Sequence, residues 1–261
     1  MPKALLYDAT TCIGCLTCEE ACATANKLRY DDAVKGEKQT SDHKYTYVAV
    51  KKTASGDDTY MRRMCMHCND PACVSACPVG ALQKTAAGPV VYDAGRCMGC
   101  RYCMVACPYG MPKYEWSKAI PGVKKCILCA DKVAAGQPTA CASACPTGAT
   151  LFGDREELLA EARKRIRENP AKYINHIYGE KEVGGGSVLM LSSQPFSEFG
   201  LPAQYGTQAL PQLTGRVLEH VPDVVSVGCA LLGGVYWITN RRDVVAAAEQ
   251  RRNETQKEEK P

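Results

Sequence analysis

Sixteen of the 17 cysteines fall into four tight groups: Cys12, Cys15, Cys18 and Cys22; Cys65, Cys68, Cys73 and Cys77; Cys97, Cys100, Cys103 and Cys107; Cys126, Cys129, Cys141 and Cys145. Only Cys229 stands alone. Such crowding does not staple distant loops, as the dispersed cysteines of short secreted chains do, and a disulfide framework is disfavoured. The chain of 261 residues also carries just three Phe and two Trp. That is little large apolar material for its length, so something besides hydrophobic packing must organise the core. The net charge of +4 comes without a long basic run interleaved with aromatics, which gives nucleic-acid binding no support.

Groups one and three share the spacing C-x2-C-x2-C-x3-C. This spacing sets three thiolates around one cubane 4Fe-4S cluster and sends the fourth to the other cluster of a pair. Group two, C-x2-C-x4-C-x3-C, and group four, C-x2-C-x11-C-x3-C, lengthen only the middle. Sixteen thiolates then suit four 4Fe-4S clusters. Zinc also takes C-x2-C pairs, but zinc ribbons separate two pairs by a longer loop. They need neither a third cysteine three residues on nor the prolines that follow here at Pro78, Pro108 and Pro146.

An internal repeat runs through these groups. "LLYDATTCIGCLTCEEAC" and "VVYDAGRCMGCRYCMVAC" share a β-rich entry, a Tyr-Asp pair and the same cysteine spacing, whereas "CVSACPVGAL" and "CASACPTGAT" resemble each other. Groups two and three read as a contiguous two-cluster ferredoxin, leaving groups one and four to close around it. A tandem pairing, one with two and three with four, is not excluded by the spacing.

Outside the cysteines, "KYTYVAV" (44–50) and "TYMRRM" (59–64) read as a hairpin across "ASGDD", outside the cluster core. "DREELLAEARKRIREN" (154–169) reads as an amphipathic helix with Asp154 as N-cap, Glu157 at N3, and Leu158, Leu159, Ala162 and Ile166 on one face. Residues 181–220 turn Gly- and Pro-rich around a short strand "VLML" and read as an extended, partner-bound arm. "VVSVGCALLGGVYWIT" (224–239) is uncharged and spans about 24 Å as a helix, against ~30 Å for a bilayer core. Tyr236 and Trp237 at one end, arginines 241 and 242 beyond, and Gly228, Gly233 and Gly234 within suit a transmembrane anchor over 221–240. Cys229 is then a small apolar residue of that span. Arg241, Arg242, Arg251 and Arg252, against Arg216 alone before it, put a charged tail, 241–261, in the cytoplasm and the cysteine domain on the other side. The last residues, "EQRRNETQKEEKP", read as disordered. The opening "MPKALLYDAT" has neither a basic start nor an apolar core, so export calls for a signal-bearing partner. No phosphate-binding loop and no nucleophile-base set is present. His67, inside "CMHC", is expected to tune or pack beside a cluster; His43, His176 and His220 are isolated polar residues.

With the four groups in this order, the chain resembles the four-cluster ferredoxin-like β subunits of membrane-bound respiratory oxidoreductases. Closest in look are those of periplasm-facing NiFe uptake hydrogenases and respiratory formate dehydrogenases. "CMHCNDPACVSACPVGAL", "CMGCRYCMVACPYGMPKY", "CPTGATLFGDREEL" and "YGEKEVGGGSVLMLSSQPFSEFGLP" carry the likeness. The resemblance implies an α+β fold, double bacterial-ferredoxin-like, with two nested dicluster modules over 1–153, a helix and connection over 154–180, and one C-terminal transmembrane helix. It implies nested ligand sets: Cys12, Cys15 and Cys18 with Cys145; Cys65, Cys68 and Cys73 with Cys107; Cys97, Cys100 and Cys103 with Cys77; Cys126, Cys129 and Cys141 with Cys22. Nitrate and sulfoxide reductase subunits carry Trp at the second cysteine of group three; Cys100 here argues against those branches. Its implied partners are the catalytic large subunit of a hydrogenase or molybdopterin enzyme, an integral-membrane cytochrome b or quinone-reactive subunit, and membrane lipid. The implied role is a relay of electrons without catalysis, in the inner membrane with the ferredoxin domain periplasmic. The alternative is the electron-transfer subunit of another molybdopterin oxidoreductase or of a soluble cytoplasmic complex.

Overall fold

The first apolar run of the chain, Lys3–Asp8, forms strand β1, buried on both faces. A computed structural model of the protein describes residues 1–53, 56–202 and 205–258. β1 is the centre of a three-stranded sheet, antiparallel to β8 (Thr150–Asp154) and parallel to β9 (Val188–Leu191). Side chains alternate across a strand. Ala4 and Leu6 accordingly meet one apolar cluster and Leu5 and Tyr7 another. The first is roofed by the long helix α7 (Arg155–Glu168), which buries Leu158, Leu159 and Ala162, with Ile166 packed at its edge. The second cluster holds Cys65, Cys126 and Cys141 and is flanked by Cys12, Cys18, Cys68 and Cys107. The sheet thus separates an ordinary apolar layer from a layer built on sulfur.

The remaining strands are paired hairpins: β2 (Tyr47–Lys52) with β3 (Asp58–Arg63), β4 (Leu82–Lys84) with β5 (Val90–Tyr92), and β6 (Lys113–Tyr114) with β7 (Val123–Lys124). The cysteines ride on short helices: α1 (Thr17–Ala25), α3 (Ala72–Ser75), α4 (Tyr102–Ala106), α5 (Ala130–Ala134), which starts just after Cys129, and α6 (Ala140–Ser143); α2 (Asp32–Gly36) lies between. α1 packs on α6, and α3 on α4.

The repeat is visible in strand register. The strand after Cys77 pairs with the strand before Cys97, Leu82 opposite Tyr92; the strand after Cys145 pairs with the strand before Cys12, Thr150 opposite Tyr7. In each case the two residues lie five positions from their cysteines. The same local unit therefore occurs twice, once within a continuous stretch and once between the ends of the cysteine domain.

Several expectations need correction. The β2–β3 hairpin forms as expected, with Ala54 and Ser55 of its turn outside the described residues, but it does not lie outside the cluster core. Met61 and Arg62 are fully buried, and Val48 lines a cysteine cavity. Asp154 stands at the N-cap of α7 without a side-chain cap bond; its carboxylate instead takes Lys3 Nζ at 3.0 Å. Residues 181–209 are not an extended arm. Val183, all of β9, Phe196, Phe199 and Leu201 are buried in the core of the first unit, Met1–Pro211; Ala203 and Gln204 are outside the described residues. Beyond, α8 (Leu210–Leu218) is followed by α9 (Val221–Glu258), one helix of 38 residues. It carries the apolar segment and continues through most of the tail expected to be disordered; residues 259–261 lie outside the described residues. Its apolar side chains, among them Leu231, Leu232, Tyr236 and Trp237, are exposed. It is long and apolar enough to cross a membrane.

Candidate iron–sulfur sites

Each group begins with the same backbone device. The residue before the second cysteine sits in the left-handed region: Gly14 (φ 69°), His67 (φ 46°), Gly99 (φ 76°) and Leu128 (φ 54°). Only glycine does this without strain, and at Gly14 a Cβ would also strike the Tyr60 ring at 2.2 Å. The turn aims backbone N–H groups at sulfur, as at Leu128, whose N–H donates to Cys126 Sγ at 3.4 Å. A second device ends three groups. After Cys77, Cys107 and Cys145 comes Pro, one residue, and a left-handed glycine. The N–H groups of Val79 through Leu82 converge on Cys77, with Ala81 N–H at 3.2 Å; those of Tyr109 to Met111 serve Cys107, and those of Thr147, Ala149 and Thr150 serve Cys145. Burial opposes ionisation, yet these bonds hold Cys77 and Cys145 below the usual thiol value. Cys22 is the exception. It lies inside α1, and Asn26 Nδ2 reaches it at 3.6 Å; burial pushes its thiol up to about 12.

The groups meet across the fold. One cavity is lined by Cys12, Cys15, Cys18 and Cys145 with Tyr7, Ile13, Leu16, Ala149 and Thr150; another by Cys97, Cys100, Cys103 and Cys77 with Tyr92, Met98, Arg101, Ala81 and Leu82. Position by position these are equivalent residues of the repeat. Elsewhere the nearest charges report the neighbours. Cys68 has Cys65, Cys107 and Cys73 beside it. Cys22 has Cys141, Cys129 and Cys18 beside it. Cys126 has Cys22, Cys65 and Cys141, and Cys73 has Cys65, Cys107 and Cys103. None of the 17 cysteines, all among the described residues, is in a disulfide.

The donor set fits iron–sulfur clusters. Among the described residues no three His, Cys, Asp or Glu side chains are placed to hold a single metal ion. Cavities each lined by four cysteines suit a 4Fe-4S cluster, which takes four thiolates. The buried side-chain atoms without a partner among the described residues, Arg62 Nη1 and His67 Nε2, both belong to residues beside cysteines. His67 Nδ1 accepts the Val90 N–H at 2.9 Å, which leaves the ring proton on Nε2. Burial, with Lys125 and Lys84 near, keeps that imidazole neutral. Two buried donors without acceptors are costly in a bare protein; sulfide or ligated thiolate is the acceptor they lack. When bound, the clusters supply one-electron carriers whose potentials respond to such hydrogen bonds, burial and charge.

A family model described as a 4Fe-4S dicluster domain matches residues 57–155. Hydrogenase-2 operon protein HybA of Escherichia coli O157:H7 is 38% identical over 238 residues, spanning 76% of this chain and 72% of its own. The nitrate-inducible formate dehydrogenase iron-sulfur subunit of Escherichia coli K12 is 36% identical over 217 residues, with the same shares of the two chains. The formate dehydrogenase iron-sulfur subunit of Haemophilus influenzae is 32% identical over 277 residues, 99% of this chain and 86% of that one. The chain belongs to the 4Fe-4S electron-transfer subunits of respiratory oxidoreductases.

As a 4Fe-4S subunit it has cationic and acidic residues around the cysteines that their spacing does not reveal. Glu19, between Cys18 and Cys22 in sequence, is buried against Lys44 Nζ at 2.9 Å and accepts the Val48 N–H at 2.7 Å. This locks α1 to the hairpin. Lys125, also buried, donates to the carbonyls of Val90 and Cys126. Lys84 Nζ donates to His67 O at 2.8 Å, and burial lowers it to about 8. Arg62 lies among Cys141, Cys18 and Cys22. One signal exists for two of them: Lys125 directly precedes "CILC" and Arg62 stands three residues before Cys65 of "CMHC".

Proposed function

We propose that Cys12, Cys15, Cys18 and Cys145 hold one 4Fe-4S cluster; Cys126, Cys129, Cys141 and Cys22 a second; Cys65, Cys68, Cys73 and Cys107 a third; and Cys97, Cys100, Cys103 and Cys77 a fourth. The fold is then two nested dicluster modules. The equal registers Thr150–Tyr7 and Leu82–Tyr92 and the packing of α1 on α6 and α3 on α4 support it. One observation carries the reading: the groups neighbour one another in a line. Cys18 lies near Cys141, Cys126 near Cys65, and Cys73 near Cys103. The line runs one, four, two, three.

Both ends of the line are open. Cys15 is exposed beside exposed Ile13; at the other end Met98, Tyr102 and Trp116 are exposed, with Arg101 stacked over Trp116 at 5.1 Å. Such apolar surfaces suit protein partners. The group-one end faces a catalytic subunit of the hydrogenase or molybdopterin type, and the group-three end a membrane cytochrome b or quinone-reactive subunit. Residues 221–240 of α9 cross the lipid with the arginine-rich side cytoplasmic and the cysteine domain periplasmic.

In the purified complex, Cys100→Ala should abolish quinone reduction while the group-one cluster still reduces when the primary donor is added; retained quinone reduction overturns the route. Carbonate washing should leave the full chain in the membrane fraction, and its release into the wash overturns the anchor.

A further inference from the structure

We propose that Arg62 is a counter-charge shared by the clusters of groups one and four, raising the potential of both. This rests on the nested assignment above, and on geometry that assignment does not use. Arg62 stands near the end of β3 and points inward, only 1% exposed. Its Nε donates to Thr46 Oγ1 at 3.0 Å, and Thr46 Oγ1 in turn donates to Arg63 O at 3.1 Å. This bond holds the guanidinium by one edge. Nη1 has no protein acceptor, and no carboxylate pairs with Arg62 among the described residues. The nearby carboxylate of Glu19 is already taken by Lys44.

A buried guanidinium without an anion is among the most costly arrangements a fold can carry. The anions available are thiolates. Cys18 belongs to group one, Cys141 and Cys22 to the group-four set, and the guanidinium bonds the Cys141 sulfur. The placement also answers a defect in the repeat. Cys77, Cys107 and Cys145 each receive a bundle of backbone N–H groups after a Cys-Pro turn, whereas Cys22 sits inside a helix without one. Arg62 supplies the missing positive field at that sulfur. One-electron reduction adds one negative charge to a site of four thiolates. A fixed cation between two such sites favours the reduced form of each.

The test is an EPR-monitored redox titration of the complex, the signals assigned beforehand with Cys15→Ala and Cys129→Ala. In Arg62→Gln the reduction equilibria of the group-one and group-four clusters should each fall at least about tenfold, which is ~59 mV for one electron. Those of groups two and three should hold, serving as the internal reference. Arg62→Lys should move the same two by less, since an ammonium lacks the fork that Thr46 orients. Unmoved potentials of groups one and four, or equal movement of all four, overturn the proposal. Where Arg62→Gln does not load iron, Arg62→Lys decides: joint movement of groups one and four supports the shared charge, and movement of one alone or neither overturns it. Failure of the nested assignment would show separately, as loss of the wrong signal in a Cys22 variant.

Discussion

Replacing Cys22 by alanine should remove the cluster built on Cys126, Cys129 and Cys141 and leave the one built on Cys12, Cys15 and Cys18. In sequence Cys22 closes group one, four residues after Cys18. In the fold it lies on the buried side of α1, with Cys141 and Cys129 as its nearest sulfurs. Iron and sulfide content should drop by about one quarter, one cluster of four, and the missing EPR signal should be that of group four. With that site second in the proposed line, transfer to the proposed membrane acceptor should fail although the first cluster still fills. Loss of the group-one signal instead would refute the nested pairing. Cys145→Ala is the reciprocal case and should remove the group-one cluster first.

Removing the iron should unfold the first unit. The central cluster of buried residues contains Cys65, Cys126 and Cys141 and is flanked by four more cysteines, in a chain with three Phe and two Trp. Without metal these sulfurs return to thiols: burial pushes Cys18 up to about 11 and Cys73 up to about 12. The cavities then lose their filling, and Arg62 and His67 lose their acceptors. Metal binding of this kind is folding free energy. The net stability of a domain that it must sustain is only ~5–15 kcal/mol. Ferricyanide with a chelator should abolish the near-ultraviolet dichroism and the cooperative thermal transition of the cysteine domain. In detergent, the helical signal of α9 should persist. An apo-protein that keeps a sharp transition near the holo-protein temperature would show that apolar packing alone sustains the fold.

How much of this was legible depended on whether the determining contacts were local. The cysteine periods, the Tyr-Asp repeat, the β2–β3 pairing and the apolar face of α7 are short-range patterns, and they read directly. β9 did not. Its four buried residues stand between "GGGS" and "SSQP", and only parallel pairing with β1, some 180 residues upstream, gives them a core to enter; composition alone makes such a segment look like an arm. The inner side of the hairpin was missed for a chemical reason. In an apolar core the first of the two arginines before "MCMHC", Arg62, would face water, but here it lies among cysteines that carry negative charge when they ligate a cluster, so a cation belongs inside. The tail was read as disordered from its charge, whereas a helix already running through 221–240 needs no new nucleus to continue. The nearest neighbours of each thiol lay beyond spacing, which fixes the ends of a loop and not what faces it.

The position of β1 at the centre of its sheet bears on how the molecule is made. It leaves the ribosome well before its partners β8 and β9, which begin at residues 150 and 188. At roughly 5–20 residues per second, "KALLYD" stays unpaired on the nascent chain for about ten seconds or more, an apolar strand with both edges open. Three sulfurs of group one wait beside it. Under the nested pairing, the order of synthesis sets the inner pair of groups as the first able to close, and the sheet around β1 is completed only after them.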